Sequence, residues 1–251
     1  MLLDNQVAVV TGTGPNIGGQ IARTLALNGA KVACLDIIEV KAQSIAKEIT
    51  ANGGQAIGVS GDIAKPDQVS DIFEKVTQNL GPVTILVNNA AITHGANILD
   101  TKLDDWYRIL DVILTGTFLC SQTAAKIMVA NNHGGAIVNI ASTSGHRGLR
   151  GGTAYATAKG GILNLTRAMA IQLAQYKIRV NSVTPTETGI PVAGGRPRDE
   201  IGPPEFIPWG RWGRPIDQAQ AVLFLASPNA DFITGVDLPV DGGMLAQFPG
   251  Q

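Results

Sequence analysis

Tyr155 and Lys159 stand four residues apart in the run Tyr155-Ala156-Thr157-Ala158-Lys159. On a helix that spacing puts both side chains on one face. A lysine cation beside a phenol stabilises the phenolate and lowers its pKa from about 10. The tyrosine then works as an acid or a base near neutral pH. The spacing alone is not specific, since a chain of this composition carries it by accident roughly one time in ten. A second run, Thr11-Gly12-Thr13-Gly14-Pro15-Asn16-Ile17-Gly18, lies between an apolar strand pattern and a helical one. A glycine-rich strand-to-helix turn lets a pyrophosphate reach the backbone and the helix N-terminus. Asp36 follows Gly12 by 24 positions, at the end of the next strand pattern. A carboxylate there accepts hydrogen bonds from ribose hydroxyls and repels a 2′-phosphate. Positions 37 and 38 are both isoleucine, with no cation to meet a phosphate, so the pattern favours NAD over NADP. The plain alternatives are a tight turn and a solvated strand-end acid.

The elements around these residues alternate. Strand patterns fall at Val7–Thr11, Lys31–Asp36, Gln55–Ser60, Ile85–Val87, Ala136–Ala141, Arg179–Val183 and Leu238–Val240. Helical periods fall at Gly19–Asn28, Val40–Asn52, from Lys65-Pro66-Asp67 to Leu80, Leu103–Asn131, Tyr155–Gln175 and Ala219–Ala226. Strand–helix alternation implies parallel strands joined by right-handed helical crossovers. Nearly continuous apolar strands fit a sheet covered on both faces. The expected fold is therefore α/β, a doubly wound parallel sheet of Rossmann-like type, as a single domain over residues 1–251. The irregular stretch from Pro185 to Pro215 carries five further prolines between those two. A loop that long is usually functional, and it reads as a lid over a substrate cleft.

Composition excludes several classes. Nineteen basic against 20 acidic residues give a net charge of −1, so neither a nucleic-acid surface nor a polybasic membrane patch is expected. Cys34 and Cys120 sit in apolar runs and read as core residues, without a disulfide or a cysteine metal site. Three histidines without a carboxylate cluster leave no expected metal site. The N-terminal residues lack the features of a signal peptide. No apolar run approaches the eighteen or so residues of a membrane span, so a soluble, cytoplasmic protein is expected.

Taken together, the motifs resemble those of the short-chain dehydrogenase/reductase family over essentially the whole chain. The glycine turn, Asp62, Asn88-Asn89-Ala90-Ala91, Ser142, Tyr155 with Lys159, Asn181-Ser182-Val183-Thr184-Pro185 and Gly235…Asp241-Gly242-Gly243 fall in the family's order. Ser142 precedes Tyr155 by 13 residues, as the family's catalytic serine does. The resemblance implies that Tyr155 exchanges a proton with the substrate oxygen, that Lys159 tunes it and holds the nicotinamide ribose, and that Ser142 hydrogen-bonds the same oxygen. It implies a cofactor site of Gly12, Asn16, Ile17, Gly18, Asp36, Asp62, Ile63, Asn89, Ala90, Tyr155, Lys159, Pro185 and Thr188. The implied function is NAD-dependent interconversion of a secondary alcohol and a ketone, by a homodimer or homotetramer.

The chain also departs from that pattern. Asn16 stands where glycine is usual, and asparagine tolerates a left-handed backbone; its amide would meet or crowd the phosphates. Thr186 replaces a glycine, and Ile190 falls where a cofactor-contacting threonine is common, with Thr188 as the substitute. Ile113 replaces an asparagine whose carbonyl helps hold a water in the family's proton relay. Either the relay runs another way, or the protein is an impaired, NAD-binding scaffold or regulator; the intact Ser142–Tyr155–Lys159 set favours the enzyme. His94, His146 and Trp209 are expected in the substrate pocket, the alternative being loop residues that anchor structure. Trp212, Phe206, Arg196 and Arg198 are open to the same two readings.

Overall fold

The computed structural model describes residues 1–248, so the last three residues of the expected 1–251 domain lie outside the described residues. Seven strands form one sheet: β1 Val7–Thr11, β2 Lys31–Asp36, β3 Gln55–Ser60, β4 Ile85–Asn88, β5 Gly135–Ile140, β6 Ile178–Pro185 and β7 Asp237–Val240. Their order is β3-β2-β1-β4-β5-β6-β7, and every neighbouring pair is parallel. The chain runs outward from β1 to β3 and then returns to β4 on the other side of β1. That reversal opens a crevice at the carboxyl ends of the strands, where ligands bind in such sheets.

The strands alternate their side chains between two apolar layers. Ala8, Val10, Val32, Cys34, Val87 and Val138 face one layer, with α1 (Ile17–Leu27), α2 (Glu39–Ala51) and α7 (Pro215–Ala226). Val7, Val9, Ala33, Leu35, Leu86 and Ile137 face the other, with α3 (Pro66–Leu80), α5 (Gly116–Asn131) and α6 (Thr153–Leu173). Both cysteines are free and buried, as expected, and burial pushes each thiol up to about 12.

Most boundaries shift by one or two residues from the sequence pattern, and three differ for local reasons. The helical stretch Leu103–Asn131 is α4 (Leu103–Leu110), a π-helical turn at Asp111–Thr115, and α5. An 18-residue window in it has a mean hydropathy of 1.4, enough by length and composition to cross a membrane, contrary to the sequence expectation. Its buried residues Cys120, Ala124 and Met128 pack instead in the layer beneath the sheet. Helix α7 starts at Pro215, four residues early, because Pro215 suits a first helical position and Asp217 closes a capping box with Arg214. Strand β6 runs on to Pro185, pairing there with β7. Between β6 and α7 the chain is irregular apart from one short turn at Arg198–Glu200 and an isolated bridge between Thr188 and Gly213.

Candidate active site

Parallel strands deliver the chemically active residues to one edge. Gly12 follows β1, Asp36 ends β2, Asp62 follows β3, Asn88 ends β4, Ser142 follows β5 and Pro185 ends β6. The glycine turn is clamped from β4. Asn89 donates its amide to the carbonyls of Thr11 and Gly12, at 3.0 and 2.9 Å, and the backbone N–H groups of Asn89 and Ala90 donate to the Thr11 hydroxyl. Gly12 has to be glycine, since a Cβ would stand 2.8 Å from the Ala90 Cα. Asn89 thus shapes the turn through its side chain.

A cleft of about 750 Å³ opens beside this turn, lined among others by Gly12, Asp36, Asp62, Ile63 and Ala90. A glycine cradle at a helix N-terminus, flanked by an acid at the end of β2, is the donor set a dinucleotide requires. Asp36 Oδ1 already accepts the backbone N–H of Ile38 at 2.9 Å, which fixes the carboxylate's direction. Lys41, not signalled by positions 37 and 38, lines the same cleft and lies over Gly14, its Cδ 3.9 Å from where a Cβ would stand. The first turn of α2 brings Lys41 back over the cleft, and that geometry is what the adjacent-residue reading lacked.

Ser142 caps the turn Thr143–Gly145, its hydroxyl accepting the Ser144 N–H, and the same hydroxyl lies near enough to Tyr155 to act on its phenol. Lys159 is 3% exposed, donates to the Ile140 carbonyl at 2.6 Å, and lies 5.8 Å from the Tyr155 ring centre. The expected electrostatics are modified. Burial holds the Tyr155 phenol above its ordinary value; the Ser142 hydrogen bond lowers it, and Glu187 on the lid raises it further. Burial also brings Lys159 down to about 7, so its charge is itself costly here. Beneath the site runs a buried polar chain that the motifs did not signal. Asn88 donates to Ser121 and Asn139, and Asn139 donates to Thr166, tying β4, β5, α5 and α6 together.

Ile113 is 1% exposed and sits in the π-helical turn, packed with Ile109, Ala141, Ala154, Ala158 and Ile162. Tyr155, Ala91 and Ile92 border the same cluster, and Ala91 and Ile92 also line the cleft. The apolar side chain therefore holds the wall behind Tyr155.

The expected pocket residues separate. His94 lines a cavity of about 260 Å³ with Asp105, Arg108 and Val192, its Nδ1 4.0 Å from Asp105 Oδ2. His146 turns toward the sheet edge, with Nε2 3.0 Å from Asp237 Oδ2 and 3.2 Å from Thr184 Oγ1. The hydroxyls of Ser182 and Thr184 donate to the other Asp237 oxygen, so a half-buried carboxylate draws the ring in. Trp209 is 72% exposed and borders a separate cavity of about 540 Å³ formed with α7 and the end of β7. Trp212 and Phe206 stack edge to face at 5.6 Å, and Arg198 lies 5.0 Å over Trp212 and pairs with Glu187, so these residues anchor the lid. Thr188 spends its hydroxyl on the Thr186 carbonyl. Asn16 is not left-handed, with φ −100°, and its amide binds the lid at Ile190 rather than facing the cleft. Among the described residues no His/Cys/Asp/Glu group is arranged to hold a metal.

A glycine-clamped cleft above a Ser–Tyr–Lys set on a doubly wound sheet defines a class of nicotinamide-linked oxidoreductases. A family model described as enoyl-(acyl carrier protein) reductase matches residues 12–245. A 3-oxoacyl-[acyl-carrier-protein] reductase of Synechocystis is 37% identical over 97% of this chain and 98% of its own length. A meso-2,3-butanediol dehydrogenase of Serratia marcescens is 36% identical over 98% of this chain and 97% of its own. The solved gluconate 5-dehydrogenase of Burkholderia cenocepacia, in complex with NADP and tartrate, superposes with a TM-score of 0.90 at 32% identity, over 98% of this chain and 97% of that one. The chain belongs to the short-chain dehydrogenase/reductase family and is an oxidoreductase acting on CH–OH groups.

Proposed function

We propose that the protein interconverts a secondary alcohol and a ketone with NAD, using Tyr155 as the acid and base. The observation that carries this reading is buried Lys159, held by the Ile140 carbonyl beside the Tyr155 ring and next to Ser142, behind a cleft wall shared with the glycine turn. The cofactor, when bound, supplies or accepts the hydride. Gly12, Ile17 and Gly18 would hold its pyrophosphate, Asp36 its adenosine ribose, Asp62 and Ile63 its adenine, and Asn89 and Ala90 would lie along its length. Asn16 and Thr188, whose polar groups are spent on the lid, would contribute backbone only. Lys159 would hold the nicotinamide ribose, at Pro185 and the lid's base.

The chain's own groups divide the proton work. Ser142 orients the substrate oxygen and stabilises charge on it. A phenol held above its ordinary pKa is protonated at neutral pH, the form that donates to a ketone oxygen being reduced. In oxidation the same phenol must first lose its proton, and a charged Lys159 favours that. Asp36 supports NAD over NADP by excluding a 2′-phosphate. Relatives named as 3-oxoacyl-[acyl-carrier-protein] reductase and meso-2,3-butanediol dehydrogenase support a secondary alcohol or ketone as the substrate class, here met by His94 and the lid. The intact catalytic set argues against the scaffold reading. A homodimer or homotetramer and a cytoplasmic location belong to the same proposal, resting on resemblance. Purified protein, NAD or NADH, and a panel of secondary alcohols and ketones test it. Turnover read by the absorbance of reduced nicotinamide supports it; NAD binding without turnover on any panel member overturns it.

A further inference from the structure

The residue that departs most from the expected glycine turn makes a contact across 174 positions of sequence. Asn16 Nδ2 donates to the Ile190 carbonyl at 2.6 Å, and Asn16 Oδ1 accepts the Ile190 N–H at 3.2 Å. One amide thus satisfies both backbone groups of one lid residue, as a neighbouring strand would. The lid is shaped to admit it. Gly189 has φ +54°, and a Cβ there would stand 2.1 Å from Asn16 Oδ1. On its other side this lid segment is held by its own far end. Gly189 donates to the Gly213 carbonyl, Gly213 to the Glu187 carbonyl, and Arg198 to the Gly189 carbonyl. Asn16 also directly precedes α1, and its carbonyl accepts the Gln20 N–H at 3.1 Å. The same residue therefore belongs to the phosphate turn by its backbone and to the lid by its side chain.

We propose that Asn16 is a positioning residue that docks the substrate lid onto the cofactor turn, so that lid closure slows cofactor release. The inference rests on the reading of the glycine turn as a cofactor site, but the docking itself does not. Glu187, whose charge reaches Tyr155, lies three residues before the docked Ile190. Docking at Ile190 therefore also fixes a charge near the catalytic phenol.

Two readouts test this, one needing no cofactor. Limited trypsin cleavage of the intact protein reports lid release at Arg198, whose following residue is Asp199. Asn16→Ala removes the pair from the turn, and Gly189→Ala blocks it from the lid. Each single variant should speed lid cleavage about tenfold, the worth of two partly exposed amide hydrogen bonds. The double variant should be no faster than the faster single, because both remove one contact. Stopped-flow release of NADH should quicken about tenfold in Asn16→Ala, with the association rate within twofold. Unchanged lid cleavage in both folded single variants overturns the proposal, as do fully multiplicative effects in the double. Cleavage that changes as stated in a protein that binds no NADH sustains the docking and overturns the cofactor reading instead.

Discussion

Replacing Ile113 by asparagine restores the residue type usual for the family's relay, yet the structure assigns it the opposite of a gain. Ile113 is 1% exposed and packs against Ile109, Ala141, Ala154, Ala158 and Ile162. Ile113→Asn gives up the transfer energy of a buried branched side chain, about 1.5–3 kcal/mol. It also buries an amide among methyl groups, at about 1–3 kcal/mol. Together the loss is about 2.5–6 kcal/mol by those two contributions. For a chain of this size each kcal/mol moves Tm by about 2–4 °C, so the fall is on the order of 10 °C. The asparagine side chain gains no function, because the π-helical turn already forms with isoleucine, Gly116 donating to the Asp111 carbonyl. Thermal unfolding of both proteins, beside turnover of NADH at a temperature where both are folded, checks this. We expect the lower Tm and no more than a twofold change in kcat. An unchanged Tm with a tenfold gain in kcat would refute the packing account and show that the native site lacks a relay.

The other predictions concern the cofactor and the buried lysine. Asp36→Ser should lower the ratio of kcat/KM with NAD to that with NADP by about 10–100-fold, through loss of charge-assisted bonds to the ribose, with Lys41 left to meet the phosphate; an unchanged ratio sinks the role of Asp36. Burial brings Lys159 from 10.5 to about 7, so between those values the unfolded chain binds the extra proton and stability rises with pH. Lys159→Met should flatten that rise in cofactor-free protein, and an identical pH–Tm curve would contradict it. The raised Tyr155 phenol predicts that alcohol oxidation climbs with alkaline pH, whereas a flat profile from neutral to alkaline would remove Tyr155 as the base.

The sheet was legible because its strands read as apolar runs punctuated by glycine and proline, and because each carried its chemistry at the carboxyl end. Gly12, Asp36, Asn89 and Ser142 then line one edge of the sheet by topology alone. Long-range pairing was not legible. The amide of Asn16 was expected near phosphates, but its partner Ile190 is set by how the lid folds back. His146 was expected in the pocket because it follows Ser142, but Asp237 on an edge strand decides its direction. The turn at Asp111–Thr115 has no local signature, since a π-helical turn uses the same residues as the helix on either side. The lowered Tyr155 pKa expected from the four-residue spacing did not allow for burial of the phenol, which raises it, or of the lysine, whose own charge burial disfavours.

The central claim is direct hydride transfer governed by Tyr155. An alcohol active in the panel, carrying deuterium on its carbinol carbon, is turned over with NAD, and the recovered NADH is weighed by mass spectrometry. The account predicts one deuterium per NADH with the native protein and a loss of rate of about 10²–10⁴-fold in Tyr155→Phe. Product formed without deuterated NADH, or a Tyr155→Phe variant as fast as the native protein, would contradict it.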